Sequence, residues 1–320
     1  MSDPLLPRAE DVLAAAARIA PHAHVTPVLR SHTLDALAGA QLAFKAEHLQ
    51  RGGAFKFRGA CNAVWSLDAE RAAAGVVTHS SGNHGAALAL AARTRGIPCH
   101  VVVPEGAVAA KLANIARHGA TLWRCPPTIA DREATCARVQ ADTGATLVHP
   151  YANPAVMAGQ GTAALELLHS DGPFDVLVVP VGGGGLASGT ALALQHASPQ
   201  TRLVLAEPAG ADDTARSLAA GQRMTDFTPD TFCDGLRTLI GAPNFQLLQA
   251  AGAEVIVVDD DATRAAMRLL WEVLKQVVEP SSAIVLAAVL AQPARFAGQR
   301  VGLVLSGGNV DLPALRWEAA

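Results

Sequence analysis

Lysine is scarce in this chain. Only four of its 25 basic residues are lysines: Lys45, Lys56, Lys111 and Lys275. One stands in "QRGGAFKFRGA" (50–60), between Phe55 and Phe57, just after a Gly-Gly break. Lysine can lose its proton and become a nucleophile, which arginine cannot do. Lys56 also opens a helical pattern over 57–67, and a partly desolvated lysine at a helix N-terminus has its ammonium form disfavoured. That is the state in which a lysine condenses with a carbonyl. The same residue, taken alone, also reads as a surface lysine snorkelling past two aromatic rings.

Three other stretches carry comparable chemistry. "VVTHSSGNHG" places Ser80, Ser81, Asn83 and His84 in one turn. A helix start needs one capping side chain, and the surplus suits a bound carboxylate or a placed proton donor. "VVPVGGGGLASG" holds Gly182, Gly183, Gly184 and Gly185, whose backbone N–H groups can approach and cradle an anion. No GK[ST] follows, which disfavours a nucleotide P-loop. Gly182, Gly184 and Ala187 do match a loose GxGxxA pattern, and Glu207 ends the next strand where a ribose-binding acid sits. An NAD-dependent dehydrogenase is therefore the alternative reading at this point. "LVLSGGN" closes the chain's last apolar run with Ser306 to Asn309, either a plain turn or a fourth site segment.

The elements that must position these residues are legible as short β-branched runs. "GVVTH" (75–79), "CHVVVP" (99–104), "VLVVPV" (176–181), "RLVLAE" (202–207), "EVIVVD" (254–259) and "RVGLVLS" (300–306) read as buried parallel strands. Alanine-rich helical stretches separate them, so the fold class is α/β with parallel sheets flanked by helices. Glycine-rich turns end three of the strands, at the sheet edge where α/β proteins bind ligands.

Composition excludes several function classes. Half of the residues are hydrophobic, enough for one large or two smaller cores. The net charge is −3 with no basic block, so no nucleic-acid partner is expected. No apolar run reaches membrane-spanning length, and the N-terminal stretch lacks the form of a signal peptide. The five cysteines show neither CxxC spacing nor a disulfide framework, which points to a reduced cytoplasmic setting.

Taken in order, "TPVLRSHTLD", "FKAEHLQRGGAFKFRGA", "THSSGNHGAALA", "NPAVMAGQGTAALE", "VPVGGGGLASG", "AEPAGADD", "CDGLRT", "VEPSSA" and "LSGGN" resemble the serine/threonine dehydratase and serine racemase family of pyridoxal-phosphate enzymes. That family, which includes threo-3-hydroxyaspartate ammonia-lyase, has fold type II, the tryptophan synthase β-like architecture. The nine segments span nearly the whole chain. The resemblance implies two domains: residues 1–69 with 152–320 as the larger, cofactor-binding one, and 70–151 as a smaller mobile one. It implies that Lys56 joins the cofactor covalently, with Phe55 and Asn83 beside it. Gly182 to Gly185 would hold the phosphate, and Ser306 the pyridine nitrogen. Ser80, Ser81, Asn83 and His84 would receive the substrate carboxylate, and Ser81 would act as the second acid–base group of a racemase. Arg132 would meet a second carboxylate, as in 3-hydroxyaspartate, although by itself it also reads as an exposed helix arginine. Glu207, the Ala211 carbonyl and Asp213 would bind Mg²⁺ or Ca²⁺, donors of the hard oxygen type such cations take. A homodimer acting on a small amino acid is implied as well. The family usually has serine two residues before the lysine. Ala54 stands there, so a supporting hydroxyl is missing. The regulatory C-terminal domain of biosynthetic threonine dehydratases is also missing, and feedback inhibition of that kind is not expected.

Overall fold

The computed structural model describes residues 6–311; residues 1–5 of the stretch read for a targeting signal lie outside it. Ten strands form two sheets. They are β1 (Val28–Leu29), β2 (Gln41–Lys45), β3 (Val76–His79), β4 (Cys99–Pro104), β5 (Thr121–Cys125), β6 (Thr146–Leu147), β7 (Val176–Pro180), β8 (Arg202–Pro208), β9 (Glu254–Val258) and β10 (Arg300–Val304). The larger sheet runs β1-β2-β10-β7-β8-β9 and the smaller β5-β4-β3-β6. Every pairing is parallel except β1 with β2. The α/β architecture expected from the sequence is thus the one observed.

All six apolar runs form strands. β7 is buried at every position, the signature of a parallel strand covered on both faces. Its core is filled by Val176 and Val178 on one side and Leu177 and Val179 on the other. The smaller sheet has its own two clusters, with Val101 and Val103 in one and Val77 and Val102 in the other.

The Lys56–Trp65 helix lies at the seam between the sheets. Its Phe57, Ala60, Cys61 and Val64 enter the smaller sheet's core. It packs against both the Asn83–Arg95 helix and the Pro154–Asp171 helix. The second contact is backbone on backbone. A Cβ added at Gly159 would stand 2.6 Å from the Cα of Gly59, which explains the glycines of "AVMAGQGT".

The same helix carries a buried ionic network. The Arg58 guanidinium, fully buried, donates to Glu47 Oε2 and Oε1 at 2.7 Å each and to Glu166 Oε1 and Oε2 at 2.7 and 2.8 Å. Lys45 Nζ donates to Glu166 at 2.6 Å, and Thr26 Oγ1 donates to Glu47 at 2.5 Å. Two cations and two carboxylates therefore neutralise one another out of water. All five cysteines are free and buried.

Candidate active site

Three segments distant in sequence are stapled together around Lys56. Ala54 bridges Gly307, the Phe55 N–H donates to the Ser306 carbonyl at 3.0 Å, and the Gly308 N–H donates to the Gly53 carbonyl at 2.9 Å. Gly53 has φ +75°, which the tight entry to the helix requires. On the other side the Glu279 N–H donates to the Gly307 carbonyl at 3.0 Å. The "GGAFK", "LSGGN" and "VEPSSA" segments thus hold one another.

Lys56 begins its helix with no side-chain cap above it. Its Nζ donates to the Pro150 carbonyl at 3.1 Å and lies 5.1 Å from the centroid of the Phe55 ring. The walls of the cleft desolvate it, pulling its ammonium down to about 8 against the opposing pull of the Glu279 carboxylate. Glu279 moves the other way. Burial pushes its carboxyl up to about 7, with the Asn83 hydrogen bond acting against burial. Asn83 Nδ2 donates to both Glu279 oxygens, at 3.1 and 3.0 Å, and Asn309 Nδ2 donates to Asn83 Oδ1 at 3.0 Å. The Glu279 carboxylate thus acts on the Lys56 amine through space, while its own hydrogen bonds go to Asn83. Sequence reasoning gave Glu279 no role. "VEPSSA" was the available signal, since proline after the glutamate fixes it as the first turn's flank.

The glycine turn joins β7 to the Gly185–Ala197 helix, whose first turn has no side-chain cap. Gly184 has φ +92° and lets the backbone fold back. A Cβ at Gly183 would fall inside the Tyr151 ring. Gly183 is fixed from behind as well: its N–H donates to Thr238 Oγ1 at 2.8 Å and its carbonyl accepts from the Gly241 N–H at 3.2 Å. Apart from the Gly183 N–H, which Thr238 holds, the N–H groups at this uncapped helix start are available to an anion.

The helix starting at Asn83 brings the "SSGNH" turn to the same cleft. His84 is buried and donates from Nε2 to the Val148 carbonyl at 3.2 Å, while its Nδ1 has no partner. Burial, then Lys56, holds its imidazolium well below the ordinary range. Ser80 and Ser81 are half-buried beside it. Ser306 is buried, its hydroxyl donating weakly to the Ser281 carbonyl at 3.4 Å.

Arg132 is not gathered into this group. Its Nη2 donates to the Pro127 carbonyl at 3.1 Å, its buried Nε has no partner, and its charge acts on His79 at the end of β3. Glu207 and Asp213 also stand apart, behind the glycine turn. Glu207 accepts from the Thr214 and Ala215 N–H groups at 2.9 and 2.8 Å. A ribose-binding acid would have to face the glycine turn instead, so the dinucleotide reading of Glu207 is overturned. Asp213 Oδ2 accepts from the Ile240 N–H at 2.8 Å, and its buried Oδ1 has no partner. Burial pushes Glu207 up to about 8 and Asp213 up to about 6. Two buried carboxylates with one orphan oxygen, beside the Ala211 turn, suit a hard cation. Among the described residues no group of three or more His, Cys, Asp or Glu side chains forms a metal cluster, so carbonyl oxygens would have to complete this one.

Residues 19–307 match the family described as "Pyridoxal-phosphate dependent enzyme". The chain belongs to that family. This pyridoxal-phosphate dependent enzyme is 48% identical over 312 residues to the beta-hydroxyaspartate dehydratase of Paracoccus denitrificans (strain Pd 1222), covering 98% of this chain and 99% of that one. It is 48% identical over 310 residues to the serine racemase of Oryza sativa subsp. indica, covering 95% and 91%. The solved structure of maize serine racemase superposes with a TM-score of 0.93 at 45% identity, covering 97% and 95%. Fold type II is therefore the architecture of this chain. The cleft suits the family's cofactor on its own geometry. It offers a desolvated amine at Lys56, an uncapped glycine cradle where any Cβ would intrude, and a buried neutral hydroxyl at Ser306.

Proposed function

We propose that this chain is a pyridoxal-phosphate-dependent ammonia-lyase for small β-hydroxy amino acids, with 3-hydroxyaspartate and serine as first candidates. The observation that carries the reading is the buried Lys56 amine, held on the Pro150 carbonyl, with the next residue, Tyr151, lying against the glycine turn at Gly183. The named activities of the relatives support it. Lys56 would hold the cofactor, the N–H groups of Gly182 to Gly185 its phosphate, Asn83 and Phe55 its flanks and Ser306 its ring nitrogen. Bound pyridoxal phosphate supplies an electron sink for the α-carbon.

The chain's own residues do the rest. Ser80, Ser81, Asn83 and His84 bind the substrate carboxylate at a helix N-terminus, where an anion is favoured. The Lys56 amine would remove the α-proton, and burial keeps part of it neutral for that purpose. Lys56 would pass that proton to the β-hydroxyl so that it leaves as water, and the released enamine would take up a second water to give a keto acid and ammonia. Ser306, a buried neutral hydroxyl, would hold the ring nitrogen without giving it a proton. Arg132 would pair bidentately with a second carboxylate. For that it must leave Pro127 and turn inward, a motion consistent with residues 70–151 closing as a unit over the substrate.

A screen tests this reading. Keto acid release is expected from at least one 3-hydroxyaspartate isomer or L-serine, and none from any β-hydroxy amino acid would refute it. In the same screen Ser81→Ala is expected to retain most L-serine dehydration while losing conversion to D-serine. Equal loss of both would remove Ser81 as the second acid–base group.

We further propose that Glu207, the Ala211 carbonyl and Asp213 bind Mg²⁺ or Ca²⁺. The Asp213 carboxylate anchors Ile240, and residues 238–241 back the glycine cradle. A chelator is therefore expected to lower the melting temperature and weaken cofactor retention together; no change in either would exclude the site. A homodimer in the cytoplasm is the assembly and setting we propose, and sedimentation as a monomer would remove the former.

A further inference from the structure

Beyond the end of β6 the chain must cross the cleft in a few residues before the Pro154–Asp171 helix begins. The Val148 N–H still bonds to the Val77 carbonyl at 2.8 Å, so the ladder ends there and His149 is the first free residue. The next two residues are both committed to the site. The Pro150 carbonyl accepts from Lys56 Nζ, and the Tyr151 ring covers the position where a Gly183 side chain would be. The Tyr151 carbonyl accepts from Asn244 Nδ2 at 3.1 Å. Tyr151 is the only tyrosine in the chain.

What shapes this turn is the side chain before it. His149 Nδ1 accepts from the Ala152 N–H at 3.1 Å and from the Tyr151 N–H at 3.4 Å. Pro150 has no N–H to give, so these two bonds satisfy the first backbone donors available after it. An imidazole whose Nδ1 is an acceptor carries its proton on Nε2. The ring stands edge-on to Tyr151, with centroids 4.6 Å apart, and edge-on to His79 at 5.1 Å. Burial, reinforced by His79 and Lys56, pulls its imidazolium down to about 3, so the ring stays neutral wherever the enzyme works.

We propose that His149 is a positioning residue: its Nδ1 caps the 149–152 turn and thereby presents the Pro150 carbonyl to Lys56 and the Tyr151 ring to the glycine cradle. The inference rests on the proposed lyase reading only for its kinetic test. His149 itself touches neither Lys56 nor the glycines. Its effect passes through two neighbours whose placement it sets, and a misplacement of about 1 Å at such a distance costs about 100-fold in rate.

The test uses amide side chains as geometric stand-ins. The Asn Oδ1 reaches the place of Nδ1 and can accept the same N–H groups, whereas the Gln carbonyl reaches the place of Nε2. His149→Asn is expected to keep kcat within about threefold of wild type, and His149→Gln and His149→Ala to lose about 100-fold in kcat with little change in KM. The amount of cofactor retained per chain after desalting should follow the same order. Gln rescue without Asn rescue would assign the function to Nε2 and overturn the proposal, and so would three variants that all match wild type. An ¹⁵N-histidine spectrum of the wild-type holoenzyme supplies an arm independent of folding or turnover. A protonated Nδ1 on His149 would overturn the cap, and a protonated Nε2 alone supports it. If the wild type releases no keto acid at all, the lyase reading fails while cofactor retention and the ring spectrum still decide the role of His149.

Discussion

Lys56→Ala is expected to lose keto acid release by about 10⁴-fold, the upper range for removal of a placed general base. Lys56→Arg should be no better, because a guanidinium stays protonated and cannot give up its charge in this cleft. Borohydride reduction reports the same residue without turnover: wild-type protein should then keep its cofactor through denaturation, and both variants should release it. Activity within tenfold of wild type in either variant would remove Lys56 from the mechanism. The proton affinity gives a further expectation for the cofactor-free protein. The folded-state value lies near 8 and the ordinary lysine value is 10.5. Between those two the unfolded chain carries the extra proton, so stability rises with pH across that window and this contribution is absent below it. Raised buried cysteines oppose this trend above pH 9, so the check is the difference between wild type and Lys56→Met: melting curves at pH 7.5 and 10 should show the variant's advantage shrinking as pH rises.

Arg58→Met is the second large effect, and it acts on the fold. The guanidinium is fully buried and holds Glu47 and Glu166 by four short bonds. Without it buried Glu47 and half-buried Glu166 are left with Lys45 as their only cation among the described residues. Breaking a buried pair by removing one partner costs about 3–5 kcal/mol. At about 2–4 °C per kcal/mol for chains of this size range, the melting temperature should fall by about 10 °C. Arg58→Lys should fall nearly as far, since one ammonium cannot serve two carboxylates on different elements. The comparison is made on cofactor-free protein, so that any loss of ligand binding at nearby Lys56 does not enter. A fall below about 2 °C for either variant would show that the network contributes little.

The sequence exposes the parts of this molecule governed by local rules. Six apolar runs became strands because a covered parallel strand must be apolar throughout, and the glycine turns are visible because only glycine allows such close approach. β5 escaped notice since it lies at a sheet edge and reads "TLWRC", with a mostly open burial pattern. β1 and β6 are two residues each, too short for any periodicity. In the site, Lys56 and Asn83 were readable by type and setting. Glu279 was not, because its burial depends on Asn83, 196 residues away. His149 carries no spacing signal either. Its partners are the two N–H groups just after a proline, and only the folded turn points its ring at them. Arg58 is unreadable for the same reason. Its carboxylate partners Glu47 and Glu166 come from other elements, and only a forked guanidinium can donate to both at once.

The seam position of the Lys56–Trp65 helix has a mechanical meaning. It touches a helix from each sheet, and its glycine contact with the Pro154–Asp171 helix leaves no room for sliding. If residues 70–151 close as proposed, this helix is the axle about which they would turn. Atoms near a rotation axis travel least. Lys56 sits at the end of that axle, so its amine would stay almost still while the Ser80–His84 turn swings in from the rim. On that proposal the amine would be the fixed point, and the Ser80–His84 turn the part that moves to meet it.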